Sequence, residues 1–177
     1  MQRSKKIVII CHCILNSNAK VKPLASYPGV LLQALQEYLQ NGTGFMQLPC
    51  PESAFLGLKR WGMSIEQYDT LAYRRHCKNI LQSCLDTLHS FIKAEYEILG
   101  IVGADGSPNC GVHKVPVGYT GGVLDSTLKA EQEINNLQFT TGMGILMQEL
   151  KFQLDNLGIS IPFMAIDEHD PSTIISK

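Results

Sequence analysis

Six cysteines stand in this chain of 177 residues: Cys11, Cys13, Cys50, Cys77, Cys84 and Cys110. Thiols in such numbers are disulfide partners, nucleophiles, metal ligands or small buried hydrophobes. A disulfide framework is not expected. Behind the basic start, Met1 to Lys6, only Ile7 to Ile10 precede Cys11 and His12, which is too short for a secretory h-region. A chain of this size also stabilises itself with its core rather than with covalent staples. The expectation is an intracellular, cytoplasmic protein with reduced thiols. Cys77 and Cys84 lie two turns apart on an apolar helical stripe and read as core. The Cys11/Cys13 pair alone is a weak zinc or copper signal, because the rest of a ligand set is missing. The remaining cysteines follow predicted strands, Cys11 and Cys13 the first, Cys50 the second and Cys110 the third, so a parallel sheet delivers a cysteine from each to its carboxyl edge, where such sheets bind ligands.

The elements that would place them are legible in outline. Ile7 to Ile10 is a continuous β-branched run, as in a strand buried on both faces. A helix is expected over Pro28 to Leu39, then a strand over Phe45 to Leu48 closed by Pro49. Ser64 and Gln67 form a capping-box pattern ahead of the longest helix, whose stripe is Cys77, Ile80, Leu81, Cys84, Leu85, Leu88, Phe91 and Ile92. A third strand is expected over Glu97 to Val102, helices over Ser126 to Leu137 and Gly142 to Leu157, and a last strand over Ile159 to Ile166, pushed towards an edge by Pro162. Gly103 to Thr127 reads as irregular. Alternating strands and helices predict an α/β three-layer sandwich. Its sheet should be mostly parallel and Rossmann-like, with about four to five strands, in a single domain over 1–177.

Composition narrows the function classes. Hydrophobic residues are 45% and charged residues 18%, which excludes disorder and coiled coil. The formal net charge of −1, with no block of like charge, argues against a nucleic-acid binder. No apolar run is long enough to span a bilayer, so no membrane partner is expected. Gly142-Met-Gly144 is half a dinucleotide fingerprint without its third glycine, and nicotinamide binding is not expected. The bland roles of the other polar residues are capping for Glu52, turn formation for Ser107 and Asp105, and orientation for His12 and His113. Tyr27, Trp61 and Tyr68 are candidates to stack on a planar substrate, with packing the commoner fate.

Three segments belong together: Cys13 to Asn16, Leu48-Pro-Cys-Pro-Glu52 and Gly106-Ser-Pro-Asn-Cys-Gly111. They resemble the motifs of the thiouracil desulfurase (TudS-like, desulfidase) family, and the resemblance spans most of the chain. It implies a compact α/β fold and a 4Fe-4S cluster held by Cys13, Cys50 and Cys110, with one iron open to the sulfur of a thiolated small molecule. Soft iron suits a thiocarbonyl sulfur, and the metal acts as a Lewis acid while water attacks, without net electron transfer. By the same resemblance Glu52 moves protons and Ser107 donates to the substrate or the water. The family's Arg-Tyr-Asp-Gly stretch is absent after Cys13, and Val112 to Val117 is not its usual continuation. A diverged member with another thiolated substrate is the expectation. Two other classes stay open: a metal-free cysteine hydrolase with a histidine base, and a non-catalytic sensor whose cluster or zinc is closed by Cys11 or His12. Oligomeric state is not readable.

Overall fold

The structure, a computed structural model, describes residues 2–123 and 125–176, with the backbone alone over 171–176. The chain begins with β1 (Lys6–Ile10), a single turn α1 (His12–Leu15), a 3-10 turn (Ser17–Ala19), α2 (Leu32–Gln40) and β2 (Gly44–Gln47). Next come α3 (Pro51–Leu56), α4 (Ile65–Tyr68), the long α5 (Leu71–Lys93) and β3 (Glu97–Ala104). It ends with β4 (Lys114–Val117), α6 (Thr127–Asn136), β5 (Gln138–Thr141), α7 (Ile145–Asn156), β6 (Phe163–Asp167) and β7 (Asp170–Ser176).

The main sheet has the order β2-β1-β3-β6-β7. Its first four strands are parallel, and β7 runs antiparallel to β6. Val8, Ile9 and Ile10 are all buried although successive side chains face opposite sides, so both faces of β1 are covered. Helices flank the sheet, giving the expected three-layer α/β sandwich. On α5 the buried stripe is Cys77, Leu81, Leu85 and Leu88, and α5 packs on α7, where Arg74 bonds Gln148 and Glu149. The chain leaves β1 for β2 on one side and returns to β3 on the other. Strand order therefore reverses between β1 and β3, where parallel sheets open a crevice at their carboxyl ends. No helix among the described residues is long and apolar enough to cross a membrane.

Four expectations need correction. α2 starts at Leu32, not Pro28, because the Leu31 N–H donates to Ile14 and the Gly29 carbonyl accepts from Ser17, which commits that backbone to tertiary bonds. The Ser64/Gln67 box caps the short α4, while α5 has its own cap in Thr70, whose hydroxyl accepts the Tyr73 N–H at 3.2 Å. The last parallel strand begins after Pro162, not at Ile159. It is no edge strand, because β7 covers its outer side. Part of the stretch read as irregular forms β4, which pairs with β5 in a separate two-stranded ribbon.

The core makes a pH-dependent prediction. Burial pushes the Cys77 thiol up to about 12 from an ordinary 9.0. Between those values the unfolded chain has lost a proton that the folded chain keeps, so this thiol's contribution to stability falls as pH rises. Cys77→Ala should cost stability at pH 7. The gap to wild type should narrow by up to about 1.4 kcal/mol per pH unit above pH 9. Urea unfolding at pH 8 and pH 10.5 under reducing conditions measures it, and a constant gap contradicts the assignment.

Candidate functional site

Three strand ends build the site. β1 runs into Cys11, whose N–H continues the ladder to the Val102 carbonyl at 3.0 Å. Cys13 follows within α1, and the Tyr27 hydroxyl holds its carbonyl at 2.9 Å. β2 runs through Leu48 and Pro49 into Cys50, the N-cap of α3, where Pro51 takes the first helical position and the Cys50 sulfur accepts the Ser53 N–H at 3.4 Å. β3 ends at Ala104, and the next residues fold into a tight turn.

That turn is over-determined by its backbone. The Ser107 hydroxyl oxygen accepts the N–H groups of Asn109 at 3.3 Å and Cys110 at 3.0 Å. Cys110 returns a carbonyl to the Ala104 N–H at 2.9 Å. The carbonyls of Pro108 and Asn109 accept the N–H groups of Ile145 and Met147, and Gly111 accepts that of Gly144. The first turn of α7 thus finds partners for its otherwise orphaned donors in the loop that carries Cys110. Asp105 Oδ1 accepts the N–H groups of Val112 and His113 at 2.9 Å and of Lys114 at 3.3 Å, the turn role expected of it. His113 lies beside it, Nδ1 3.4 Å from Oδ2, an orienting role.

All five residues singled out by the resemblance, Cys13, Cys50, Cys110, Glu52 and Ser107, line one cavity of about 300 Å³, with His12, Lys20, Met63, Lys114 and Phe139 among its other walls. Cys11 is fully buried behind it, its sulfur 3.5 Å from that of Cys13. Cys110 lies near enough to both to influence their ionisation. The three thiols share ionisation unequally. Hydrogen bonds from Cys11 and Cys110 hold the Cys13 thiol well below the ordinary cysteine range, helped by the charge of Lys20. Cys110 is pushed well up by its bonds to Cys11 and Cys13 and by burial. Cys11 moves up too: Cys110 pulls it down, but donation to Cys13 together with burial outweighs that. Cys13 is therefore the most readily ionised of the three. Among the described residues no three His, Cys, Asp or Glu side chains form a ready cage for a single metal ion.

Glu52 is held from two sides. Asn109 Nδ2 donates to Oε1 at 3.0 Å and Arg60 Nε to Oε2 at 2.9 Å. Arg60 also donates to the carbonyls of Ala19 at 2.6 Å and Gly57 at 3.1 Å, so one guanidinium joins the first and second strand-end segments. A carboxylate has about four acceptor positions, so each oxygen keeps capacity for a further donor. Across the cavity Lys20 pairs with Glu168, which also accepts the Tyr27 hydroxyl at 3.1 Å.

Sequence reasoning missed several contributors. Asn109 lies inside a motif quoted above, but a carboxamide there gives no sign of which group it will reach. Arg60 sits in a loop beside Trp61 without any pattern. Phe139, not an expected tyrosine or tryptophan, supplies the aromatic wall. Trp61 is 88% exposed and away from the cavity, Tyr68 is buried in the core, and Tyr27 serves as a hydrogen-bond donor.

The fold and site define a parallel α/β protein with clustered thiols and an anchored carboxylate at its switch-point edge. Within that class, the chain belongs to the same family as the uncharacterized protein MJ0003 of Methanocaldococcus jannaschii. The two are 36% identical over 133 residues, which cover 75% of this chain and 82% of that one. No protein-family model matches the chain, and no solved structure does.

The turn depends on close backbone approach. A Cβ on Gly103 would collide with the Cys110 carbonyl oxygen and stand 2.8 Å from Val112 Cγ2. Gly103→Ala should therefore cost about 1–3 kcal/mol, the usual range for overpacking. Gly29, with nothing within 4 Å of an added Cβ, is the control, and Gly29→Ala should stay within about 0.5 kcal/mol of wild type. Urea denaturation compares the two.

Proposed function

We propose that the protein is a desulfidase that removes sulfur from a thiocarbonyl-type small molecule by non-redox hydrolysis. Cys13, Cys50 and Cys110 would hold a 4Fe-4S cluster. The observation that carries this reading is the convergence on one cavity of five residues from three separate segments, in the combination the family resemblance assigns to ligands and proton-handling groups. The donor set fits the group: thiolates are the ligands of such clusters, and hydrogen bonds from its neighbours lower the cost of ionising Cys13.

When bound through three thiolates, the cluster supplies one open, soft, Lewis-acidic iron for a thiocarbonyl sulfur. The chain's own residues do the rest. Glu52 has one donor on each oxygen and accepts the proton of the attacking water at a remaining lone pair. Arg60 and Asn109 fix the plane of that carboxylate, so it meets the water without reorganisation. Ser107 uses its oxygen to accept two backbone N–H groups, which leaves its O–H as a donor to the substrate or the water. Phe139, Met63 and Val21 give the cavity apolar wall, suited to a flat, weakly polar ring.

The metal-free hydrolase alternative calls for a histidine bonded to a cysteine. His12 Nε2 bonds Asn16 at 3.3 Å, His76 bonds the Pro51 carbonyl at 3.2 Å, and His113 sits against Asp105. Among the described residues no hydrogen bond joins a histidine to a cysteine, although His12 and His169 line the cavity.

Anaerobic preparation with iron and sulfide analysis tests the assignment. Alanine at Cys13, Cys50 or Cys110 should abolish cluster content, while alanine at Cys77 or Cys84 should leave it intact. Wild-type iron in Cys50→Ala contradicts the ligand set. Glu52→Gln should retain the cluster and lose roughly 10²–10⁴-fold in turnover of thiouracil-type compounds, the range of general acid–base catalysis. Full activity in that variant removes Glu52 from proton transfer.

A further inference from the structure

One nucleophile is left unused by the proposed reaction. Cys11 is fully buried, does not line the cavity, and stands 3.5 Å from the Cys13 sulfur. Cys13 does line the cavity and is reachable from solvent. The ladder bond to Val102 uses only the backbone of Cys11 and does not call for a thiol. A thiol in sulfur–sulfur contact with a cavity cysteine adds a chemical capability instead: it can resolve an oxidised neighbour. The backbone permits it. Cys11 is extended, with φ −65° and ψ 149°, and Cys13 follows in a helical turn, which already brings the two sulfurs together.

We propose that Cys11 is a resolving thiol and that Cys11 and Cys13 form a reversible disulfide when the cavity is open to an oxidant. With a peroxide, the Cys13 sulfur attacks the O–O bond, giving Cys13 sulfenic acid and releasing water or an alcohol. The Cys11 sulfur then attacks the sulfenic sulfur and expels water. Two thiols lose two electrons and two protons, and the peroxide gains them. The disulfide takes Cys13 out of use and stops its oxidation short of the irreversible sulfinic acid, so a reductant restores the site. The consequence for a cluster rests on the proposed function, since it matters only if Cys13 is a ligand. The disulfide itself does not.

The test uses the full chain free of iron, reduced, cleared of reductant, treated with equimolar hydrogen peroxide, blocked with N-ethylmaleimide under denaturing conditions and digested with trypsin. Cys11 and Cys13 fall in one peptide, 7–20, and Cys110 in another, 94–114. The expected product is peptide 7–20 lighter by two hydrogens and unblocked. Two of the six thiols are lost, and a reductant returns them. In Cys11→Ser, peroxide raised to two or more equivalents, the amount a sulfinic acid consumes, should convert Cys13 to its sulfinic acid, not reversed by that reductant, while wild type treated alike still gives the disulfide. A cross-link between peptides 7–20 and 94–114 as the main product overturns the assignment, as does sulfinic Cys13 in the wild type. So does blocked Cys11 and Cys13 after oxidation of other cysteines. Wild-type protein alone decides these, so a variant that fails to fold does not blunt the test. A disulfide in a protein that binds no iron would refute the cluster and leave the resolving thiol standing.

Discussion

The turn from Ser107 to Gly111 can exist only where three backbones come closer than side chains allow. Gly103, Gly111 and Gly144 lack the Cβ atoms that would strike, respectively, the Cys110, Lys114 and Asn109 backbones. Because they approach, the carbonyls of Pro108 and Asn109 meet the opening N–H groups of α7, and the turn becomes the cap of a buried helix. A loop in that role cannot drift without leaving helix donors unpaired in the core, which costs free energy comparable to lost hydrogen bonds. Cys110 and Asn109 inherit that rigidity. Asn109 passes it to Glu52, Glu52 to Arg60, and Arg60 to the Ala19 carbonyl on the far wall.

Topology explains why these groups meet at all. Parallel strands end at the same edge, and the reversal of strand order between β1 and β3 opens a crevice between the segments carrying Cys13 and Cys110. Cys50 arrives from β2, next to β1. The crowding of Cys11, Cys13 and Cys110 then has an electrostatic result: the Cys13 thiol is drawn below the ordinary cysteine range, while those of Cys11 and Cys110 are pushed above it. The cavity thus concentrates sulfur donors beside a carboxylate anchored by cationic and amide donors.

The frame of this arrangement was legible in the sequence. The unbroken apolar run Ile7 to Ile10 announced a strand buried on both faces, and an edge common to all parallel strands followed from it. The helical stripe through Cys77, Leu81, Leu85 and Leu88 was equally plain, since its period is set by the helix. Finer features were not. β4 and β5 are four residues each, with Pro116 inside one of them, and carry no alternation long enough to detect. β7 escaped notice because Pro171 and polar neighbours mask its pattern, and its pairing removed β6 from the edge. Whether Cys11 joins the site depends on the angle at which the chain leaves β1, which is a tertiary property. The same is true of Arg60, whose place is decided by three acceptors distant in the chain or in a neighbouring loop.

The central claim is that this edge holds a four-iron cluster through three protein sulfurs and leaves one iron open to a thiolated ligand. Mössbauer spectroscopy of protein reconstituted anaerobically with ⁵⁷Fe, with and without thiouracil, addresses it most directly. The account predicts a diamagnetic cluster in which one iron of the four has distinct parameters that shift when the thio-compound is added, but not when uracil is added. Iron that fails to assemble, or a cluster whose irons all ignore the thio-compound, would contradict it.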